Sequence, residues 1–593
     1  MVSRVGTVLC AVTAGLSAQT APPNTFLVHN LVSDLPGVAD HQDANLTNTW
    51  GNGFGATPFW VGNNGSGTAT LYDGYGNKAS LTVAIPAAGG ATTAGAVTGV
   101  IFNAAAGFNV AGKPASFLFC SEDGVISGWN GGASAAILID NSKSGAVYKG
   151  CTTANTPIGP VIYAANFHNN TVDTFDGALS QNAFRNSFAN PAIPAGFAPF
   201  NVQAFGGLLY VTYSMQNGEK HDDVAGPGNG YVAIFDMEGN LVSNIASKGV
   251  LNSPWGMAMS PANFGAFPNA LLVGNFGDGK INAFNPLTGA VLGTLHLVDT
   301  KGNAAAIQGL WSINFGSGAR NEDAGTLYFT AGPGGGPNND PIESHGLLGS
   351  VQPAPSFTAK VVLNAASSVA GNISANSFVT IAGNSLAPMT ATATIRGDTP
   401  PTQLNNVSVT VNGEPAFVDF IGNTQVNFLV PGDVQPGPAK IVVTSNGLAS
   451  APVAVTVAAD SPGFFPLGAE NGNTYIAAQH PDFSLVGPTG LITGVTTTGA
   501  KAGETIALYG TGFGATSPAA PNSAISTALP LAHNPTVLIG GVPATVVFAG
   551  LIAPGLYQIN VTVPSGLPAG DAAVVAALGN GETQAGAFIT IAQ

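Results

Sequence analysis

The stretch "GYVAIFD", residues 230–236, decides the reading, because four others repeat its form: "GTATLYD" (67–73), "GVISGWN" (124–130), "NTVDTFD" (170–176) and "GKINAFN" (279–285). Each opens on Gly or Asn, alternates, reaches an aromatic (Tyr72, Trp129, Phe175, Phe235, Phe284) and ends on Asp or Asn. Alternation marks a strand with one buried face, the aromatic fills space between stacked sheets, and Asp or Asn turns the chain. Successive aromatics are 57, 46, 60 and 49 residues apart. That spacing suits propeller blades of about 40 to 50 residues carrying loop insertions.

Upstream of each copy stands a second strand: "FWVGN" (59–63), "SFLFC" (116–120), "VIYAANF" (161–167), "LLYVTYS" (208–214) and "LLVGNF" (271–276). A sixth, "LYFTAG" (327–332), lacks the aromatic strand after it. Leaders containing Trp50, Trp255 and Trp311 precede some copies, and these, with Trp60 and Trp129, are expected to pack between blades. The segment "TFLVHNLV" (25–32) has a strand's composition and no repeat of its own. It is expected to pair with the incomplete sixth blade and so remove an exposed edge.

The second half reads differently. After a stiff linker at 352–360, around "PAPSF", two copies of another unit follow, one with "VNGEPA" and "QVNFLVP" (from 408), one with "IGGVPA" and "QINVTVP" (from 536). Their short alternating strands predict two tandem Ig-like β-sandwiches, at 361–460 and 461–593, without the Cys and Trp signature of antibody domains. The segment 463–499 is expected to form a hairpin and strand bridging them. The fold class is therefore all-β, a six-bladed β-propeller over 24–351 followed by two Ig-like β-sandwich domains.

Two resemblances accompany this reading. Through "NLVSDLPGVADHQDANLTNTWG" (30–51), "KHDDVAGPGNGYVAIFD" (220–236), "PWGMAMSP" (254–261) and "LYFTAGPGGG" (327–336), the first half resembles an NHL-like propeller family of exported bacterial proteins. The paired units resemble the C-terminal region named for Solibacter, met in exported acidobacterial proteins, and more distantly IPT/TIG domains. These imply a fold and an exported setting, not a reaction.

Composition narrows the partners. The 593 residues carry a formal charge of -15, only 8% charged residues and no Lys/Arg run, which excludes a surface built to neutralise phosphates, so nucleic acid is not an expected partner. Arg4, an apolar run of Val5–Leu16 and small Ser17 and Ala18 read as a signal peptide at 1–18. That run is too short for the ~20 residues a bilayer requires, and no later stretch qualifies. The mature protein is expected to be a secreted or cell-surface monomer. Of the three cysteines Cys10 leaves with the signal. Cys120 and Cys151 are then open to two readings, a disulfide or two buried thiols.

Chemistry concentrates in a few loops. His41, Asp43, His168, His221, Asp222, Asp223, Asp340 and His345 all fall in propeller loops, and such loops converge at the mouth of the central channel, so they are the candidate ligand-binding residues. Asp222, Asp223 and Asp340 offer hard oxygens for Ca²⁺ or another divalent metal, and His221 with His41 offers nitrogens for a transition metal. The spacing matches no closed metal motif, and adjacent extended residues cannot all face one ion. The chain has no G-x-S-x-G elbow, P-loop or HExxH. The leading expectation is an exported, non-catalytic binding or scaffold protein whose propeller recognises an extracellular glycan or protein, with the sandwiches as spacer. The alternative is a lyase or hydrolase in which His221 acts as base, oriented by Asp222 or Asp223. The plainest reading of 219–230 is a solvated surface insertion.

Overall fold

The computed structural model describes residues 24–592 apart from 56–57, 91–93, 185–187, 302, 321, 337, 394–399, 522–524 and 526. The expected signal peptide at 1–18 lies outside the described residues. The described chain forms two compact units meeting at Pro353 and Ala354. It is all-β, with two 3-10 turns, Ala88–Gly90 and Ser142–Ser144, and no helix long and apolar enough to cross a membrane.

The first unit is a six-bladed propeller. Each blade is an antiparallel sheet whose innermost strand comes first in sequence: Thr49–Gly53, Val97–Phe102, Tyr148–Thr156, Phe197–Phe205, Pro254–Met259 and Leu310–Phe315. The repeat quoted above is the third strand of its blade, and Tyr72, Phe175, Phe235 and Phe284 are buried as its alternation requires. The Asp or Asn that ends it does the turning expected of it. Asp236 Oδ1 accepts from the backbone N–H groups of Glu238 and Asn240, and Asp73 does the same for Tyr75 and Asn77. Both turns pass through a glycine with positive φ, Gly239 at 82° and Gly76 at 83°, where a Cβ would be strained.

The ring closes as the sequence predicts. Thr25–Ser33 pairs antiparallel with Leu347–Pro353 and becomes the fourth strand of the sixth blade, with the short strands His41–Gln42 and His296–Val298 paired parallel on its outer side. The third blade has three strands among the described residues. Cys120, on the second strand of blade two, and Cys151, on the inner strand of blade three, form a disulfide with Cα atoms 6.5 Å apart. Of the two readings of these cysteines, the paired one holds, and it staples neighbouring blades.

The second unit contains both sandwiches. In each, one long strand serves two sheets: Glu414–Gly422 pairs first with Val407–Val411 and then with Gln425–Leu429, as Val542–Ala553 pairs with Thr536–Ile539 and then Leu556–Thr562. Register shifts at Val418/Phe420 and Val546/Phe548 let the strand bend between sheets. Separate cores centred on Phe428 and on Tyr557 fill the two sandwiches. The hairpin Pro466–Glu470 and Asn473–Ile476 adds to the second sandwich, alongside Ala587–Ile591.

Candidate functional site at the propeller mouth

In an antiparallel blade, the connection into the innermost strand and the turn between the second and third strands emerge at the same end. That end of the ring gathers the polar chemistry. The second residue of each inner strand faces the axis, and going round the ring these are Trp50, Thr98, Lys149, Ala198, Trp255 and Trp311. Three tryptophans, with Phe167, Phe200 and Phe276, form one buried cluster. Trp311 stacks on Trp50 at a centroid distance of 3.4 Å and on Phe276 at 4.1 Å, while Trp255 meets both Trp50 and Trp311 edge-on. Trp50, Trp255 and Trp311 therefore plug the channel instead of packing between blades, whereas Trp60 does pack across blades, on Phe117.

Lys149 occupies the position where three other blades place tryptophan. It is 1% exposed. Its Nζ lies 5.1 Å over the Trp50 ring and ion-pairs with Glu122 from blade two and, at 3.0 Å, with Asp222 from blade four. Trp255 Nε1 donates to the Lys149 carbonyl at 2.9 Å. Burial alone would drive the ammonium neutral, but the two carboxylates more than offset it and hold the lysine charged. Asn64 of blade one donates to Glu122 Oε2 at 2.8 Å, and Gln216 of blade four donates to the Phe167 carbonyl at 2.6 Å, tying neighbouring turns together.

The 219–230 loop is thus part of a built site and not only a solvated insertion. His221 Nδ1 and Asp222 Oδ1 are 2.8 Å apart. That bond raises the imidazole's pKa and, with the Lys149 charge, holds the Asp222 carboxyl far below the usual carboxylate range. Asp223 turns inward, where burial raises its pKa. Its side chain lies beside Ser253 Oγ, which favours the ionised form, and neither Asp223 Oδ2 nor Ser253 Oγ has a partner beyond the other among the described residues. Glu343, from the long turn of blade six, completes the group. Burial first, then the charges of Glu122, Asp223 and Asp222, push it up to about 7 against the pull of Lys149.

Of the residues singled out from sequence, the structure brings together His221, Asp222 and Asp223. The others do different work. Asp340 and Asp34 both hold His345, at 3.1 and 2.7 Å, pinning the blade-six turn, so Asp340 does not join Asp222 and Asp223 as a ligand set. Asp43 is buried against Tyr72 and Lys78, the latter at 2.6 Å. His41 pairs with Val32 beside Gly76, and the His168 ring lies beside Gly145, so neither joins His221. Lys149, Glu122 and Glu343 were missed. Only the first has a sequence signal, "YKGC" standing where other blades read "TWGN" and "PWGM".

Glu343 also sets a pH dependence. A carboxyl raised from 4.5 to about 7 keeps its proton in the native state where the unfolded chain has released it. Stability then falls as pH rises through that window, by about 1–3 kcal/mol for this group. Glu322, fully buried in the connection between blade six's first and second strands and likewise raised to about 7 by burial, adds to the same slope. Melting temperatures at pH 5, 6, 7 and 8 are expected to decline, with Glu343→Gln flattening the decline and melting above wild type at pH 8. A profile that rises across the window contradicts this assignment.

A second concavity of about 370 Å³ lies between the sandwiches, lined by Asn364, Asn372, Asp460, Asn580 and Glu582 among others.

Comparison with known proteins adds family but no chemistry. Residues 362–457 match the IPT/TIG domain. A solved structure from Bacteroides thetaiotaomicron, a protein of unknown function, aligns with 56% of this chain and 77% of its own at 10% identity and a TM-score of 0.35. Two uncharacterized proteins of Acanthamoeba polyphaga mimivirus are similar in sequence. One is 30% identical over 320 residues, covering 52% of this chain and 77% of its own, and the other 32% identical over 274 residues, covering 44% and 72%. At that identity over more than two thirds of each relative, the chain belongs to the family of these mimiviral proteins.

Proposed function

We propose that the protein is a recognition module, binding a polar ligand such as a glycan, or a polar group of a protein, at the propeller mouth, with the two sandwiches as spacer or attachment. One observation carries this reading. In a chain with only 8% charged residues, Glu122, Lys149, His221, Asp222, Asp223 and Glu343 converge from four blades onto one rim above an aromatic plug. A scaffold alone needs no such expenditure of buried charge, because desolvating charged groups costs several kcal/mol each. The plug also argues for binding at the mouth instead of passage along the channel. A glycan and small-molecule screen on the full-length protein tests this, repeated with Asp223→Asn and Glu343→Gln. Ligand capture is expected to fall at least ~10-fold in the variants without loss of fold. A ligand held equally well by both variants would place recognition elsewhere.

Acid–base catalysis is the second reading, and Glu343 is the observation in its favour. A carboxyl near 7 beside the ionised Asp222 suits proton transfer at neutral pH, and its φ of 72° is a strained conformation of the kind found at functional sites. Turnover of a captured glycan or lactone, abolished by Glu343→Gln, would establish a lyase or hydrolase instead of a binding protein.

A further inference from the structure

We propose that the mouth binds one divalent transition-metal ion, such as Zn²⁺ or Mn²⁺, through His221, Asp222 and Glu122. Ligand atoms of these three residues lie within 4.8 Å of one another. Lys149 reaches Glu122 and Asp222 from the buried side. The side chains of His221 and Asp222 are 45% and 59% exposed, so an ion enters from solvent without displacing the ammonium from beneath. Asp222 Oδ1 serves both Lys149 and His221 Nδ1, and these bonds leave Asp222 Oδ2 and His221 Nε2 uncommitted.

Charge count and unpaired atoms point the same way. Two carboxylates, Glu122 and Asp222, share the one buried Lys149 ammonium, with the carboxyls of Asp223 and Glu343 close by, so the pair has room for a further positive charge. Among the described residues Trp311 Nε1 has no partner, and Asp223 Oδ2 and Ser253 Oγ have none beyond each other, Ser253 and Trp311 being 0% and 1% exposed. Ser253 lies beside Asp223, the neighbour of the proposed ligand Asp222, while Trp311 Nε1 and the Glu343 backbone both adjoin Gly332. A water ligand of a bound ion would serve the first pair by donating to Asp223 Oδ2. One imidazole with carboxylates favours a transition ion over Ca²⁺, which takes oxygen ligands alone.

The proposal deepens the recognition reading, since the ion would be the first occupant of the same rim. Metal-stripped full-length protein is titrated with Zn²⁺, Mn²⁺, Co²⁺ and Ca²⁺ by calorimetry, with the Co²⁺ absorption spectrum as a second readout. One equivalent of transition ion is expected to bind and raise Tm. His221→Ala and Asp222→Asn should each weaken binding at least ~10-fold, with His221→Ala altering the Co²⁺ spectrum. No binding up to millimolar metal, binding indifferent to both variants, or Ca²⁺ preferred with His221→Ala silent would each overturn the proposal. Ligand capture repeated in chelator separates the two ideas: capture that persists without metal overturns the ion's role and leaves recognition standing.

Discussion

Lys149→Met is expected to lower the melting temperature by roughly 5–15 °C, from a loss of about 3–5 kcal/mol. Methionine fills nearly the same space, so the loss comes from charge. Without the ammonium, among the described residues Glu122 keeps only Asn64 as a side-chain partner and Asp222 only His221, and Asp223 and Glu343 lose a positive neighbour that favours their ionisation. Breaking a buried ion pair by removing one partner is costly because the other stays desolvated and unpaired. The damage should therefore be reparable by removing negative charge. Adding Glu122→Gln to Lys149→Met is expected to recover part of the lost stability, although Glu122→Gln alone destabilises. An unchanged Tm in Lys149→Met would mean that the ammonium is not at the centre of the cluster.

Trp311→Ala should cost a similar ~3–5 kcal/mol, the range for truncating a large aromatic in a core. Trp311 is the hub of the plug, in contact with Trp50, Phe200, Trp255 and Phe276. The six inner strands meet only through side chains at the axis, so a cavity there cannot be closed by one strand shifting. Trp311→Phe keeps part of the stacking and should lose less than half as much. Leu287→Ala, at a side chain 92% exposed, is the control and should leave Tm unchanged. Equal melting of Trp311→Ala and the control, measured by calorimetry, would remove the plug from the account.

The ring was legible because each blade repeats a local rule. The aromatic of "GYVAIFD" must be buried by its neighbours, and Asp236 must turn the chain within four residues, so both signals lie inside one short stretch. The closing strand was legible for a related reason, since Thr25–Ser33 had a strand's pattern and the sixth blade wanted one. The site was half legible. His221, Asp222 and Asp223 stood out as a run of charge, but Glu122 and Glu343 are single acids in turns remote in sequence, and nothing local links them to Lys149. Only closure of the ring does so. His345 and Asp340 looked equally promising, yet they satisfy each other and Asp34 in fixing a turn, a role that flanking residues alone cannot distinguish from binding.

The convergence of turns from separate blades on Lys149 is tested most directly by a double-mutant cycle between Glu122→Gln and Asp222→Asn, residues of blades two and four that share one ammonium. The two effects on unfolding free energy are expected to be non-additive by about 1 kcal/mol or more, because either carboxylate alone can still partner the lysine. Effects that add within about 0.3 kcal/mol would show that Glu122 and Asp222 do not meet, and would contradict the site at the propeller mouth.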